Sequence, residues 1–494
     1  MLSQWLERAR AGEPVWLPDM RAQCAQLPDP IDVTMQLTLC DGTQRDFPLL
    51  LPRWESDDQR QFVLQYVTAC VWNTLSALSG RELAFYFDPA ETETAALLGK
   101  LDTVFQVHEP TRREYGKVVS IADRLCRAFG CGPFAFALRD KRDYVPAPPF
   151  VPPQGALTQQ LRRAAQRCES GVCCGIDIGG TDIKAAVSVD GQLVCVKEYD
   201  WDPASSPTAE GITGPIVLLV RLMACCAAGL TLELRRALDK NAPDDLMARA
   251  VAASPALPLD VLGVSFPDVV IRDRIVGGES PKTRGMRQNH ALDYEAAFAR
   301  LGDLLTLLRP YCRRGAAVHM TNDGHIAAFT AAAELAWQGD PDLSGGVVAH
   351  ALGTDFGMGY LYGDGSIPEM PVELYDFLLD LGSFPQRELS PDDLRSTRNE
   401  NSGLPGARRY VGQAAAFRLA YEADPSLLDG FTARQGIALT VPADKRKDCL
   451  AHLMARAADG DPAARRVFLQ VGRGVGEMSR ELALLLHPAT DTRY

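Results

Sequence analysis

Residues 172–200 read VCCGIDIGGTDIKAAVSVDGQLVCVKEYD. Three short, mainly apolar segments at 172–178, 183–189 and 193–199, bounded by turn residues, read as strands. Asp190-Gly191 between the second and third segments is a strong two-residue hairpin signal, so three consecutive strands are expected as a meander. Between the first two lies the tight turn Gly179-Gly180-Thr181. Its glycines let backbone come close to a ligand and its threonine adds a hydroxyl, which suits a phosphate held by amides. A second Gly-Thr-Asp string follows at 353–355, 173 residues on, between strands expected at 347–352 and 358–362. Asp364-Gly365 again comes after it. A single Gly-Thr-Asp is an ordinary turn signal. Two copies in matching context read as an internal repeat of strand, loop, strand and Asp-Gly hairpin, with Gly353, Thr354, Asp355 and Gly357 as the second phosphate-binding set.

Outward from this stretch, strands are expected at 261–266 and 316–321. Helices are expected at 216–238, 294–308, 325–337, 408–422 and 463–486, giving layered α/β domains. Upstream, YVPAPPFVPPQG at 144–155 has five prolines and reads as a stiff connector. It marks a boundary between an α+β unit at 1–143 and a bridging helix at 157–168. In the N-terminal unit, strands are expected at 33–39, 47–51 and 82–87, with helices at 57–78 and 97–105. That unit carries no catalytic constellation. A first lobe is assigned to 171–320 and a second to 321–494.

Composition narrows the classes. The 494 residues carry 51 basic and 63 acidic side chains, a net charge of −12. An acidic surface opposes polyanions, so no nucleic-acid partner is expected. The start has no apolar run of signal-peptide length, and the most apolar segment, 216–230, falls short of the ~20 residues a membrane helix needs. No membrane partner and a cytoplasmic location are therefore expected. The 13 cysteines form no C-x-x-C pair and read as reduced, buried thiols.

Four segments together resemble the ROK family (repressor, open reading frame, kinase) of the actin-like ATPase and sugar-kinase superfamily. CGIDIGGTDIKAAV at 174–187 is similar to its first phosphate motif and ALGTDFGMGYLYGDG at 351–365 to its second. VLGVSFPDVVIRDRIVGG at 261–278 is similar to its substrate segment, and HMTNDGHIAAFTAAAEL at 319–335 to its Asn-Asp segment. The resemblance spans about 172–487. It implies an α/β, two-lobed actin-like ATPase core (ribonuclease H-like) beside the N-terminal α+β domain, with ATP and Mg2+ as cofactors. It also implies an ATP-dependent kinase of a sugar hydroxyl.

Phosphoryl transfer asks for a metal, phosphate clamps and a positioned hydroxyl. Asp177, at the end of an apolar strand, is the candidate to orient Mg2+ through water. Asp323, following a strand and opening a helix, is the candidate general base, against the alternative of a helix-capping aspartate. Asn322 matches the family's sugar-contacting asparagine, and Glu373 stands for its sugar-binding glutamate. Lys184 is a candidate for the transferring phosphate, although its outward position on a strand reads more readily as a solvated lysine. His319 and His325 read as structural histidines. No P-loop string occurs, and Gly472-x-Gly474-x-Gly476 falls inside a helical run.

The chain also departs from the family. Asp268 replaces a glycine after the substrate-segment proline, and Lys282-Thr283-Arg284 stands near the family's Asn-Leu pair. Asp376 takes the place of a histidine. No cysteine lies between Cys312 and Cys449, so no structural zinc is expected. The sequence ends at Tyr494, before the family's adenosine loop. Lys282, Arg284 and Arg287 suit an acidic or phosphorylated substrate as well as a solvated basic loop. The alternative function is a non-catalytic sugar or nucleotide sensor whose N-terminal unit contacts a protein partner. Homo-oligomerisation stays open.

Overall fold

The computed structural model describes residues 1–105, 118–277, 281–339, 342–353, 356–386, 388–399 and 402–494. The chain forms two compact units, and neither is continuous in sequence. The first takes Met1–Val151, Ala351–Met358 and Pro371–Pro488. The second takes Pro152–His350, Gly359–Met370 and Ala489–Tyr494. This differs from the division expected at the proline-rich segment, because the N-terminal residues share a unit with most of the C-terminal third.

In the first unit, β1 (Ile31–Thr38), β2 (Gln44–Leu51), β3 (Glu82–Phe87) and β4 (Ala135–Asp140) form a sheet of order β2-β1-β3-β4. The helix Asp57–Leu78 starts where expected. Ser56 caps it by accepting from the Gln59 amide, and it is buried from Phe62 to its end. The expected helix at 97–105 is instead two short pieces, Thr92–Leu98 and Leu101–Val104. The proline-rich segment carries no regular structure. Its first part is docked rather than free: Tyr144 and the Ala147 amide donate to Asp46, and Arg45 stacks 3.4 Å over the Phe150 ring.

In the second unit, β5 (Val172–Ile178), β6 (Asp182–Val189) and β7 (Gln192–Asp200) form the expected meander. Asp190 and Gly191 both take positive φ, and Val189 pairs directly with Gln192, as a two-residue hairpin requires. β8 (Leu259–Phe266) then adds parallel to β5. The hairpin β9 (Val270–Ile271) and β10 (Arg274–Ile275) follows, and β11 (Cys312–Asn322) adds parallel to β8. The resulting order, β11-β8-β5-β6-β7, is an antiparallel three-strand meander extended by two parallel strands. That is the ribonuclease H-like arrangement, so the mixed α/β core is present in this unit.

The helix Ala209–Ala228 covers this sheet. It extends further towards the N-terminus than expected and ends at Gly229, so it reaches 20 residues. By length and composition alone it passes as a membrane span. Its apolar side chains pack into the sheet's own core with Val172, Ile176, Ile183 and Val187. The expected bridging helix, Leu157–Cys168, sets Leu157 and Leu161 against Ala328 and Ala332 of the helix Asp323–Trp337.

The second copy of the repeat is only partly realised. β12 (Val347–Leu352) and β13 (Phe356–Leu361) pair, and Gly365 turns with positive φ, but no strand follows. Asp364 instead accepts from the Ser366 amide and hydroxyl, closing a side-chain turn. Pro368 and Pro371 lie in the segment that would have to pair, and proline has no amide to give a ladder.

β13 comes very close to the helix Asp323–Trp337. A Cβ on Gly359 would lie 1.8 Å from the Gly324 carbonyl oxygen and 2.6 Å from the His325 Cα. Both are backbone atoms of a first turn, so neither swings away. Gly359→Ala is expected to cost ~1–3 kcal/mol or more by overpacking, read as a lower urea midpoint with an unchanged slope.

Candidate active site

The parallel strands end together. Asp177 is in register with Ser265, and Ser265 with Thr321, so β5, β8 and β11 reach one edge of the sheet side by side. β5 leads into Gly179-Gly180-Thr181, β8 into Pro267-Asp268 and β11 into Asn322-Asp323. The carboxyl edge of an α/β sheet is where such folds bind ligands.

The first loop is held by its own neighbours. The Gly179 amide donates to the Asp182 carbonyl (2.8 Å). Trp201 donates its ring N–H to the Gly179 carbonyl (3.1 Å) and its amide to the Thr181 carbonyl (3.1 Å). A Cβ on Gly179 would stand 2.9 Å from the Asp182 carbonyl oxygen, so the turn needs glycine there. Among the described residues the amides of Gly180 and Thr181 have no partner. The stem of Lys282 crosses this loop, with its Cε 3.6 Å from where a Gly180 Cβ would stand, and its ammonium donates to the Pro267 carbonyl (3.2 Å). Lys184 lies opposite Asp177 across β5 and β6, exposed, and its ammonium is paired with Asp182 at 2.7 Å. That pairing matches the solvated reading of Lys184 more closely than the phosphate-clamping one.

At the third strand end the cap is Asn322, not Asp323. The Asn322 side chain accepts from the Gly324 amide (2.8 Å) and donates to the Asp268 carbonyl (2.9 Å), tying β11 to the end of β8. Asp323 adds a contact to the same Gly324 amide (2.9 Å). It keeps an open surface, yet the surrounding protein partly desolvates it and pushes its carboxyl above the ordinary aspartate range. Lys282 opposes this shift, while the charges of Asp177 and Asp268 add to it. Three carboxylates and one ammonium thus share the edge. Asp268 is buried, and its side chain accepts from the Val269 amide (2.7 Å). In the sequence, Asp268 and Lys282 stand out only as departures from the family pattern. Their convergence on Asp323 is a product of the fold.

Of the flanking histidines, His319 is exposed and pairs with Asp273 at 3.3 Å. His325 is fully buried, accepts from the Tyr360 amide (3.2 Å), and burial pulls it down to about 4. Its folded value lies below its unfolded one, so its contribution to stability is complete above pH 6.5 and is lost as pH falls towards 4. The loss is ~3 kcal/mol over that window. His325→Asn is expected to flatten the stability profile between those limits, measured by urea unfolding at a series of pH values.

The second phosphate loop, Glu373 and Asp376 belong to the first unit, and the basic loop 282–287 to the second. The Gly353 carbonyl accepts from the Gln413 amide (3.1 Å). A Cβ on Gly357 would meet only Ala351 at 3.7 Å, so packing does not demand glycine there. Thr354 and Asp355 lie outside the described residues. Glu373 is half-buried, and its amide donates to the Ser76 carbonyl (3.0 Å). Asp376 is buried and accepts from the Asn399 side-chain amide (2.8 Å). Of the basic loop, Arg284 is exposed, whereas Arg287 is buried and donates to the Thr283 hydroxyl.

No family model matches the sequence, and no curated protein does. Solved structures do match. A ROK hexokinase from Thermus thermophilus is 18% identical, with 64% of this chain and 79% of that one covered at a TM-score of 0.33. A glucokinase from Parabacteroides distasonis is 17% identical, covering 65% and 71% at a TM-score of 0.36. A glucokinase from Balamuthia mandrillaris, solved in complex with glucose, is 11% identical, covering 68% and 84% at a TM-score of 0.37. By their names, these three similar structures are a ROK hexokinase and two glucokinases. At such identities and scores the likeness adds no weight to the site itself, since fold does not imply function.

Proposed function

We propose that the chain is a cytoplasmic, ATP- and Mg2+-dependent kinase of ROK type acting on a sugar hydroxyl. The observation that carries this reading is the grouping of Asp323 with Asp177, Asp268 and Lys282 at the strand ends beside the Gly179–Thr181 loop. Asp323 accepts the hydroxyl proton as the sugar oxygen bonds to the γ-phosphorus. The bond to the β-phosphate oxygen breaks, and ADP leaves with the electron pair. The amides of Gly180 and Thr181 and the Lys282 ammonium face the phosphate charge. Asn322 fixes the turn that aims Asp323. The Asp177 carboxylate is the hard oxygen donor that suits Mg2+, held through water, and the ion, when bound, would neutralise charge on the transferring group. Gly353, Thr354, Asp355 and Gly357 are proposed as the second phosphate loop and Glu373 as a sugar contact.

A sensor without turnover is the second reading, favoured by Asp376. In the position of the family's histidine stands a buried carboxylate already engaged by Asn399. Release of ADP measured across a panel of hexoses, N-acetylhexosamines and hexuronates separates the two. A kinase releases ADP with at least one of them above the water background. A sensor binds a sugar and releases none.

A further inference from the structure

The N-terminal sheet gathers three thiols that sequence spacing does not announce. Cys40 lies in the turn after β1, Cys126 on the helix Val118–Phe129 and Cys131 just past that helix. Their sulfurs all lie within 4.8 Å of one another, and Cys40 and Cys126 are 4.0 Å apart. All thirteen cysteines are free thiols. The Cys126 thiol donates to the Gly80 carbonyl (3.5 Å) and Cys131 to the Cys126 carbonyl (3.4 Å). The absence of cysteine between 312 and 449, on which the expectation of no structural zinc rested, says nothing about this place.

A thiolate–zinc bond is ~2.3 Å, so sulfurs around one ion stand ~3.8 Å apart in a tetrahedron and ~4.0 Å in a trigonal plane. The 4.0 Å between Cys40 and Cys126 matches these values, and the other two pairs lie within 4.8 Å. A disulfide would use two of the three sulfurs and leave the third without a purpose. Cys126 is buried whereas Cys40 and Cys131 are half-exposed, so three donors converge from the protein and the outer side stays open.

We propose that Cys40, Cys126 and Cys131 form a three-thiolate site for one thiophilic d10 cation, Zn2+ foremost, with its remaining position open to an exogenous ligand. Binding releases the thiol protons and ties the β1–β2 turn to the helix that leads into β4. None of these residues belongs to the candidate active site.

The test uses the full chain, reduced, stripped with a chelator, loaded with Zn2+ or in a parallel arm Cu+, and desalted. Retention of about one ion per chain is expected, together with charge-transfer absorption on loading with Co2+. Cys131→Ser, with its fold checked by circular dichroism, is expected to weaken retention by ~10-fold or more, as is Cys40→Ser as the second variant. Cys168→Ser, an exposed thiol in the other unit, is expected to retain metal normally. Uptake of Cu+ alone keeps the site and changes its ion. The proposal is overturned if reduced wild type retains neither ion, or if both site variants retain metal as wild type does. Isolation of the protein with a disulfide among the three, and no metal uptake after reduction, overturns it as well.

Discussion

Asp323→Asn is expected to lower turnover by ~10²–10⁴ while leaving sugar affinity much less affected. Asparagine keeps the volume and still accepts from the Gly324 amide but takes no proton. The structure removes the main competing explanation, because Asn322 already caps the helix Asp323–Trp337. Stability should not fall. Asp323 titrates above the ordinary aspartate range when folded, so its carboxyl favours the native state most at low pH, and that contribution is lost as pH rises through its folded value. At neutral pH the charged side chain is therefore a burden, and its neutral replacement should match or slightly exceed the wild-type thermal midpoint. The same shift sets the pH profile. The base works only when ionised, so kcat/KM should fall on the acid side from a higher pH than an ordinary aspartate would give. Asp177→Asn should move that limb down by removing a like charge.

The second large effect concerns stability. Glu481 is wholly buried and pairs with Arg21, 460 residues earlier in the chain. Asn73 donates to the same carboxylate (3.1 Å), and it also donates to the Leu378 carbonyl (3.1 Å) and accepts from the Leu378 amide (2.7 Å). Arg21 further contacts the Cys70 sulfur (3.4 Å). Arg21→Ala leaves an uncompensated buried carboxylate and is expected to cost ~3–5 kcal/mol. The double replacement Arg21→Met with Glu481→Leu removes both charges and should recover much of that loss. Denaturant unfolding of the single and double variants checks this. A double variant no more stable than Arg21→Ala would mean that the loss comes from packing rather than from the unpaired charge.

This network also explains what sequence reading could not reach. The meander β5–β7 was legible because each of its devices is local: short apolar runs set the strands, Asp190-Gly191 sets the hairpin, and Gly179 makes the turn. The helix Asp57–Leu78 was legible for the same reason, from its length. The division into units was not, because the bonds that join residues 21, 73, 378 and 481 leave no mark in local composition. Local repetition also misled. Asp364-Gly365 repeats the first hairpin signal, but its turn is followed by prolines that cannot pair. The long helices expected at 216–238 and 294–308 break at Gly229 and beside Gly302-Asp303. At the candidate site, Asp177, Asp323 and Asn322 could be named from the strand-end pattern and the family resemblance. Asp268 acquires its meaning only from β8 lying between β5 and β11, and Lys282 from its return across the Gly180 loop to the Pro267 carbonyl.

Asp323 and its neighbours are proposed to transfer phosphate to a sugar. The most direct test is mass-spectrometric detection of a phosphorylated sugar after incubation of the full chain with ATP, Mg2+ and a sugar panel, with Asp323→Asn run beside it. One phosphosugar is expected from wild type, and ~10²–10⁴ less from the variant at equal folding. No phosphosugar from a wild type that binds ATP, or equal product from both proteins, would contradict the proposal.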